Sequence, residues 1–224
     1  MTRFIDRRAA GRSLANRLGH LRDAHPVVLA LPRGGVPVAF EIARALDAPL
    51  DLLFVRKLGA PGYEELGIGA VVDGADPQVV LNENVVREVG ASPDYIRAET
   101  QRQLAEIERR RKHYVGGRQP VTVQGRTVIL VDDGIATGGT VRAALAGLRR
   151  NRPERLVLAV PVAPTETLDL LAADCDQIVC LAQPRPFHAV GAHYQDFTQT
   201  EDAEVIALLD QASGFGRASL IEER

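Results

Sequence analysis

VILVDDGIATGGT, residues Val128 to Thr140, runs four apolar residues into two adjacent carboxylates, Asp132 and Asp133. The loop behind them carries three glycines, Gly134, Gly138 and Gly139, and two hydroxyls, Thr137 and Thr140. From Gly139 onward Val141, Ala144, Leu145 and Leu148 recur at three- and four-residue spacing, the period of an amphipathic helix. The stretch predicts a buried parallel strand, a glycine-rich loop and a helix N-terminus, in that order. Backbone N–H groups and the positive end of the helix dipole then converge on a point that suits a phosphate. The acidic pair would repel that phosphate, so it requires another partner, either hydroxyl groups or a cation. A ribose 5-phosphate, with vicinal hydroxyls beside its phosphate, satisfies both halves.

The same alternation extends outward. Asp6 to His25 has the spacing of an amphipathic helix, with Leu14, Leu18 and Leu21 on one stripe, and Pro26 ends it. Val27 to Leu31 is a short apolar strand, Pro32-Arg33-Gly34-Gly35 a loop, and Val36 to Leu46 a helix. Leu50 to Val55 reads as the next strand, ending at Arg56 and Lys57. Downstream come a strand over Arg155 to Val160, a helix over Thr165 to Ala172 and a strand over Gln177 to Leu181. Strands alternating with helices in this way imply an α/β fold, a parallel sheet with helices on both faces. Ligands of such sheets sit outside the carboxyl ends of the strands. The loops 32–35, 56–66 and 132–140 all follow strands and so share that edge.

From the second of these loops up to the third the pattern changes. Leu58 to Leu66 is glycine-rich with little to bury and reads as a mobile loop. Gly67 to Val72 and Gln78 to Leu81 read as two strands of a hairpin, and Asn82 caps a short helix. Ser92-Pro93-Asp94 is a strong helix start, and the helix runs to about Tyr114, where Gly116-Gly117 closes it. Ile96, Leu104 and Ile107 are its few apolar anchors; the run Arg109, Arg110, Arg111, Lys112 reads as a solvated face. Residues of about 82–118 are thus a helical insertion within one domain spanning 1–224. An irregular segment from Pro184 to Phe197 leads to a final helix over roughly Glu201 to Leu209.

Bulk properties exclude several function classes. The 224 residues carry a net charge of −2, so no basic field argues for nucleic acid or an acidic membrane surface. Aromatics make up 4% with no Trp, which leaves no stacking platform for single-stranded nucleic acid. Cys175 and Cys180 lack zinc-type spacing, consistent with a reduced, cytoplasmic setting. No apolar run approaches the ~20 residues that span a membrane, and the N-terminus lacks the apolar core of a signal peptide.

Two common phosphate loops do not fit. Gly134 and Gly139 have Walker A separation, but Thr140 stands where its Lys belongs. Gly67-Ile68-Gly69 lacks the third glycine of a dinucleotide fingerprint, since Val72 occupies that place. VILVDDGIATGGT instead resembles the signature of type I phosphoribosyltransferases, enzymes that use phosphoribosyl pyrophosphate. Across nearly the whole chain the blocks LPRGGVPVA, FVRKLGAPG and VDDGIATGGT are similar to bacterial phosphoribosyltransferases of unassigned acceptor. Some of those carry an added hydrolase domain, for which this sequence has no residues.

The resemblance implies a Rossmann-like central parallel sheet, the type I phosphoribosyltransferase fold, with a small hood from the chain ends that takes in about 182–224. It implies that Asp132 and Asp133 bind the ribose hydroxyls while Ala136, Thr137, Gly138, Gly139 and Thr140 cradle the 5-phosphate. Arg33, Gly34 and Gly35 resemble the family's pyrophosphate loop, where a cis peptide is common, and Arg56 and Lys57 resemble basic residues with the same role. On this reading Asp132, Asp133, Arg33 and Lys57 form the catalytic set. Gly59, Gly62 and Tyr63 would belong to a lid that excludes water. Mg²⁺ is the implied cofactor, held mainly by substrate and water, because it neutralises diphosphate oxygens while keeping much of its hydration shell. Phe187 and Asp196 are the candidates for the base-binding end. Ala136, where 6-oxopurine enzymes commonly carry an acid, leaves the acceptor unnamed. The expected activity is transfer of the phosphoribosyl group to a nitrogenous acceptor, for instance a purine base, with release of pyrophosphate; a homo-oligomer is compatible with it. The alternative is a regulatory module of the same fold that senses phosphoribosyl pyrophosphate or a nucleotide.

Overall fold

The computed structural model describes residues 3–216. In chain order the elements are α1 (Arg7–Leu18), β1 (Val27–Ala30), α2 (Gly35–Leu46), β2 (Leu50–Leu52), β3 (Val55–Ala60), β4 (Tyr63–Val72) and β5 (Gln78–Leu81). They continue with α3 (Glu83–Glu88), α4 (Pro93–Val115), β6 (Thr127–Val131), α5 (Gly139–Arg150), β7 (Arg155–Val162), α6 (Thr165–Leu171), β8 (Gln177–Ala182) and α7 (Asp202–Gln211). Five strands form a parallel sheet in the order β2-β1-β6-β7-β8. The decisive stretch therefore supplies its central strand. Every residue of β6 is buried, as a strand covered on both faces requires. Its side chains alternate between two cores. Ile129 and Val131 pack on the side of α1 and α2, Val128 and Leu130 on the side of α5.

The run Leu50 to Val55 is not one strand. β2 stops at Leu52, and Val55 opens β3 in a separate antiparallel sheet of order β3-β4-β5. Both Leu53 and Phe54 are buried, which is why the apolar run continues without a break. Nor is the segment 58–66 a loop: it is the far end of the β3–β4 hairpin, turning at Pro61 and Gly62. Gly62 makes the turn at φ 71°, whereas Gly59, and Gly69 further along β4, reflect close strand approach. A Cβ on Gly59 would lie 2.8 Å from the Glu64 Cα, and one on Gly69 2.4 Å from the Val80 carbonyl oxygen. The Tyr95 hydroxyl of α4 donates to the Gly59 carbonyl at 3.0 Å and ties the hairpin to the insertion.

Helix α4 begins where its N-cap predicts, the Ser92 oxygen accepting from the Tyr95 N–H. Its basic run is not a uniformly solvated face. Arg111 is buried, donates to both Asp51 oxygens at 2.8 and 2.9 Å and to Asp73 at 2.8 Å, and also reaches the Leu52 carbonyl. Asp51 further accepts from the Leu52 and Val121 N–H groups. This cluster clamps α4 against the ends of β2 and β4. Burial outweighs the pairing at Asp73 and lifts its carboxyl above the ordinary range.

A hood forms from the two chain ends. Phe4 bridges to Tyr194, its N–H donating to the His193 carbonyl, and the Phe4 carbonyl accepts from Gln195. Residues 217–224 of the expected C-terminal hood segment lie outside the described residues.

Candidate active site

The loops after β1 and β6 meet edge to edge because glycine allows it. A Cβ on Gly34 would stand 2.1 Å from an Asp133 carboxylate oxygen, and one on Gly35 2.7 Å from the Val131 carbonyl oxygen. The Pro32–Arg33 peptide is cis, a point the sequence leaves open. Beyond Asp133, the Ile135 N–H bonds to the Val162 carbonyl at 2.9 Å, and the Thr167 hydroxyl donates to the Ala136 carbonyl at 2.9 Å. Gly138 turns the chain into α5 at φ 79°, and as N-cap it offers no side chain to the first-turn N–H groups. Those donors stay available to an anion, with Thr137, Gly139 and Thr140 exposed beside them.

The two acids have different surroundings. Asp133 is held by Arg7, whose Nε lies 2.7 Å from Oδ2, and its carbonyl accepts from the Tyr194 hydroxyl at 2.6 Å. Arg7 in turn lies 3.9 Å over the Phe197 ring and donates to the Thr198 carbonyl. Burial nevertheless raises the Asp133 carboxyl above its ordinary range, Arg7 opposing it. Asp132 accepts from the Asp133 N–H at 2.8 Å. Burial first, and the Asp133 charge second, push its carboxyl well above the carboxylate range. Asp132 is thus a carboxylate whose ionised form a cation or a pair of hydroxyl donors would stabilise. Among the described residues no cluster of three or more His, Cys, Asp or Glu is placed to hold a metal ion by itself.

Two clefts open on this edge and share Thr140. The first, of about 530 Å³, is lined by Pro32, Arg33, Arg56 and Thr140, and by Arg109, Arg110, His113 and Tyr114 of α4. Asp202 of α7 closes it, 3.3 Å from Arg33 Nη1 and accepting from the Tyr114 hydroxyl at 2.6 Å. Burial and Asp202 push the Tyr114 hydroxyl up to about 12. The second, of about 820 Å³, lies between the antiparallel sheet and α5 and is lined by Lys57, Gly67, Gly69, Thr137, Gly139, Thr140 and Arg142.

Arg56 and Lys57, expected together at a strand end, are successive residues inside β3 and serve different clefts. Alternation along a strand sends neighbours to opposite faces. Arg56 joins Arg33 and is steadied by Gln103 at 3.0 Å, whereas Lys57 faces Thr137 and Thr140 and rests on Glu65. Gly59, Gly62 and the exposed Tyr63 lie at the hairpin end, outside both linings. Phe187 stacks on His193 at 5.7 Å and packs into the hood core, while Asp196 accepts from Thr198 beside Arg7. Sequence reading does not anticipate Arg7, Arg109, Arg110 or Asp202 at the site. Arg7 and Asp202 find their partners far along the chain, and Arg109 and Arg110 pair within their own helix with Glu106, so nothing local separates them from ordinary helix-surface charges.

Similarity to known proteins extends over most of the chain. The phosphoribosyl transferase domain model matches residues 6–196. A Mycobacterium tuberculosis (strain H37Rv) protein, provisionally named a phosphoribosyl transferase, is 47% identical over 223 residues, 99% of this chain and 50% of its own length. The chain therefore spans about half the length of the curated relatives it matches over nearly all of its own. The crystal structure of TT1426 from Thermus thermophilus is 44% identical, with a TM-score of 0.82 over 94% of this chain and 99% of that one. A parallel sheet whose central strand ends in paired acids and a glycine–threonine loop, matched over most of its length by that family model, places this chain in the phosphoribosyl transferase domain family.

Proposed function

We propose that this chain is a single phosphoribosyltransferase domain that binds phosphoribosyl pyrophosphate across the sheet edge and transfers its phosphoribosyl group to a nitrogenous acceptor. The observation that carries the reading is the contact between the loops 32–35 and 131–133. One anionic site, on the Thr137–Thr140 loop and the α5 N-terminus, would hold the 5-phosphate. The other, on Arg33 and Arg56, would hold the diphosphate, and Asp132 lies near where the two loops meet.

Asp132 would accept from the ribose hydroxyls, and each hydrogen bond to a charged group contributes roughly 1.5–3 kcal/mol. As the acceptor nitrogen forms its bond to C1, the C1–O bond breaks, pyrophosphate leaves with the bonding pair and the acceptor's N–H proton passes to solvent. Positive charge grows on the ring, and the neighbouring carboxylates stabilise it. Arg33 and Arg56 meet the charge left on the departing diphosphate. Asp133, fixed by Arg7 and Tyr194, keeps the loop and hood in register. Lys57 serves the phosphate side of the site, and the β3–β4 hairpin is the element that would cover it.

Mg²⁺ fits the donor set: a hard carboxylate oxygen at Asp132, no complete protein cage among the described residues, and a ligand rich in phosphate oxygens. When bound it neutralises diphosphate charge and polarises the leaving group. Purified protein incubated with phosphoribosyl pyrophosphate, Mg²⁺ and a panel of purines, pyrimidines and amines should release pyrophosphate with at least one acceptor. Silence across the panel together with tight binding would favour the regulatory reading.

A further inference from the structure

The Arg33–Arg56 cleft carries more positive charge than its own loop and strand supply. Arg109 and Arg110 reach it from α4, an element inserted between β5 and β6. Both rest on Glu106, Arg109 through Nε and Nη2 at 2.8 and 2.9 Å and Arg110 through Nε at 2.8 Å. The two guanidiniums hold the Glu106 carboxyl down at about 2. Arg110 also acts within the cleft, where its field and that of Arg33 oppose the rise at Tyr114. Across from it Arg33 leans on Asp202. Three of the four arginines thus have their charge placed on carboxylates, and Arg56 is held by the neutral Gln103.

Exposed pairs of this kind contribute little, so a multiply charged anion can displace them. The backbone of α4 cannot follow, because Arg111 one residue further is locked between Asp51 and Asp73. A rigid wall carrying releasable guanidiniums is what binding a polyanion needs.

We propose that Arg110, supported by Arg109, is a ligand-binding residue: the two leave Glu106 and grip the outer phosphate of a diphosphate seated on Arg33 and Arg56. The insertion then forms one wall of the diphosphate subsite. This rests on the phosphoribosyl pyrophosphate reading above, and it separates from the simpler role in which Glu106 pairs with both arginines only to stabilise the helix.

Calorimetric titration with inorganic pyrophosphate and Mg²⁺ decides between them, with ribose 5-phosphate as the companion ligand. Arg110→Ala should weaken pyrophosphate about tenfold, the loss of one charge-assisted contact, and the Arg109→Ala/Arg110→Ala pair should weaken it further. Glu106→Gln, which frees both guanidiniums, should tighten it severalfold. Ribose 5-phosphate affinity should not move, nor should either ligand respond to Arg97→Ala, which breaks the Arg97–Asp94 pair on α4 away from the cleft. Melting curves of each variant report folding. Pyrophosphate affinity unchanged in Arg110→Ala, in the pair and in Glu106→Gln would overturn the inference. Wild-type protein that binds ribose 5-phosphate but not pyrophosphate would overturn it alone; binding of neither would remove the underlying reading as well.

Discussion

Burial and the Asp133 charge hold the Asp132 carboxyl well above the ordinary range, so the folded chain binds that proton more tightly than the unfolded chain does. Stability from such a group is present below the unfolded pKa and is lost as pH rises toward the folded value. The ligand-free protein therefore carries a penalty at neutral pH that a neutral isostere removes. Asp132→Asn should raise the ligand-free melting temperature by ~2–4 °C, about 1 kcal/mol, while ligand binding falls. The gain should shrink as the scan is repeated toward pH 4; a lower melting temperature at neutral pH would show that the carboxylate stabilises the fold. Gly34 makes the complementary case. Its missing side chain is the space Asp133 occupies. Gly34→Ala should displace that carboxylate from Arg7 and cut ribose 5-phosphate affinity at least about tenfold, about 1.4 kcal/mol. Calorimetry showing wild-type affinity would mean the approach of the two loops is not needed.

Among the elements, α4 depends most on one side chain. Arg111→Met leaves Asp51 and Asp73 buried without a counter-charge, an outcome that costs about 3–5 kcal/mol in comparable sites. Urea denaturation should show that loss, and a change under about 1 kcal/mol would mean the cluster relaxes by taking up water or protons. The same residue shows where sequence reading stops. The parallel strands were legible because burial on both faces forces continuous apolar runs, and α4 because its N-cap and closing glycines are local. Arg111 stands among Arg109, Arg110 and Lys112 with no periodicity to mark it, and its partners are 60 and 38 residues away. The β3–β4 hairpin was hidden for another reason. Glycines that permit close strand approach look in sequence like glycines that loosen a loop, and the buried Leu53 and Phe54 disguise the gap between β2 and β3. At the site, the Asp132–Thr140 loop was legible as a unit, whereas the Arg7–Asp133 pair joins residues 126 apart.

At the scale of the whole molecule, the sheet edge, the antiparallel sheet, the α4 insertion and Asp202 of α7 converge on two clefts that meet at Thr140. The first cleft draws Arg33 from the loop after β1, Arg56 from β3, and Arg109 and Arg110 from α4, while Arg7 of α1 fixes Asp133 beside it. The central claim is that one ligand spans both clefts with its ribose at the acidic pair. The most direct test is calorimetric titration of phosphoribosyl pyrophosphate with Mg²⁺ into wild type and into the Asp132→Asn/Asp133→Asn double variant. The account predicts one ligand bound per chain and binding abolished in the variant while its melting curve remains cooperative. Unchanged affinity in the double variant would contradict it.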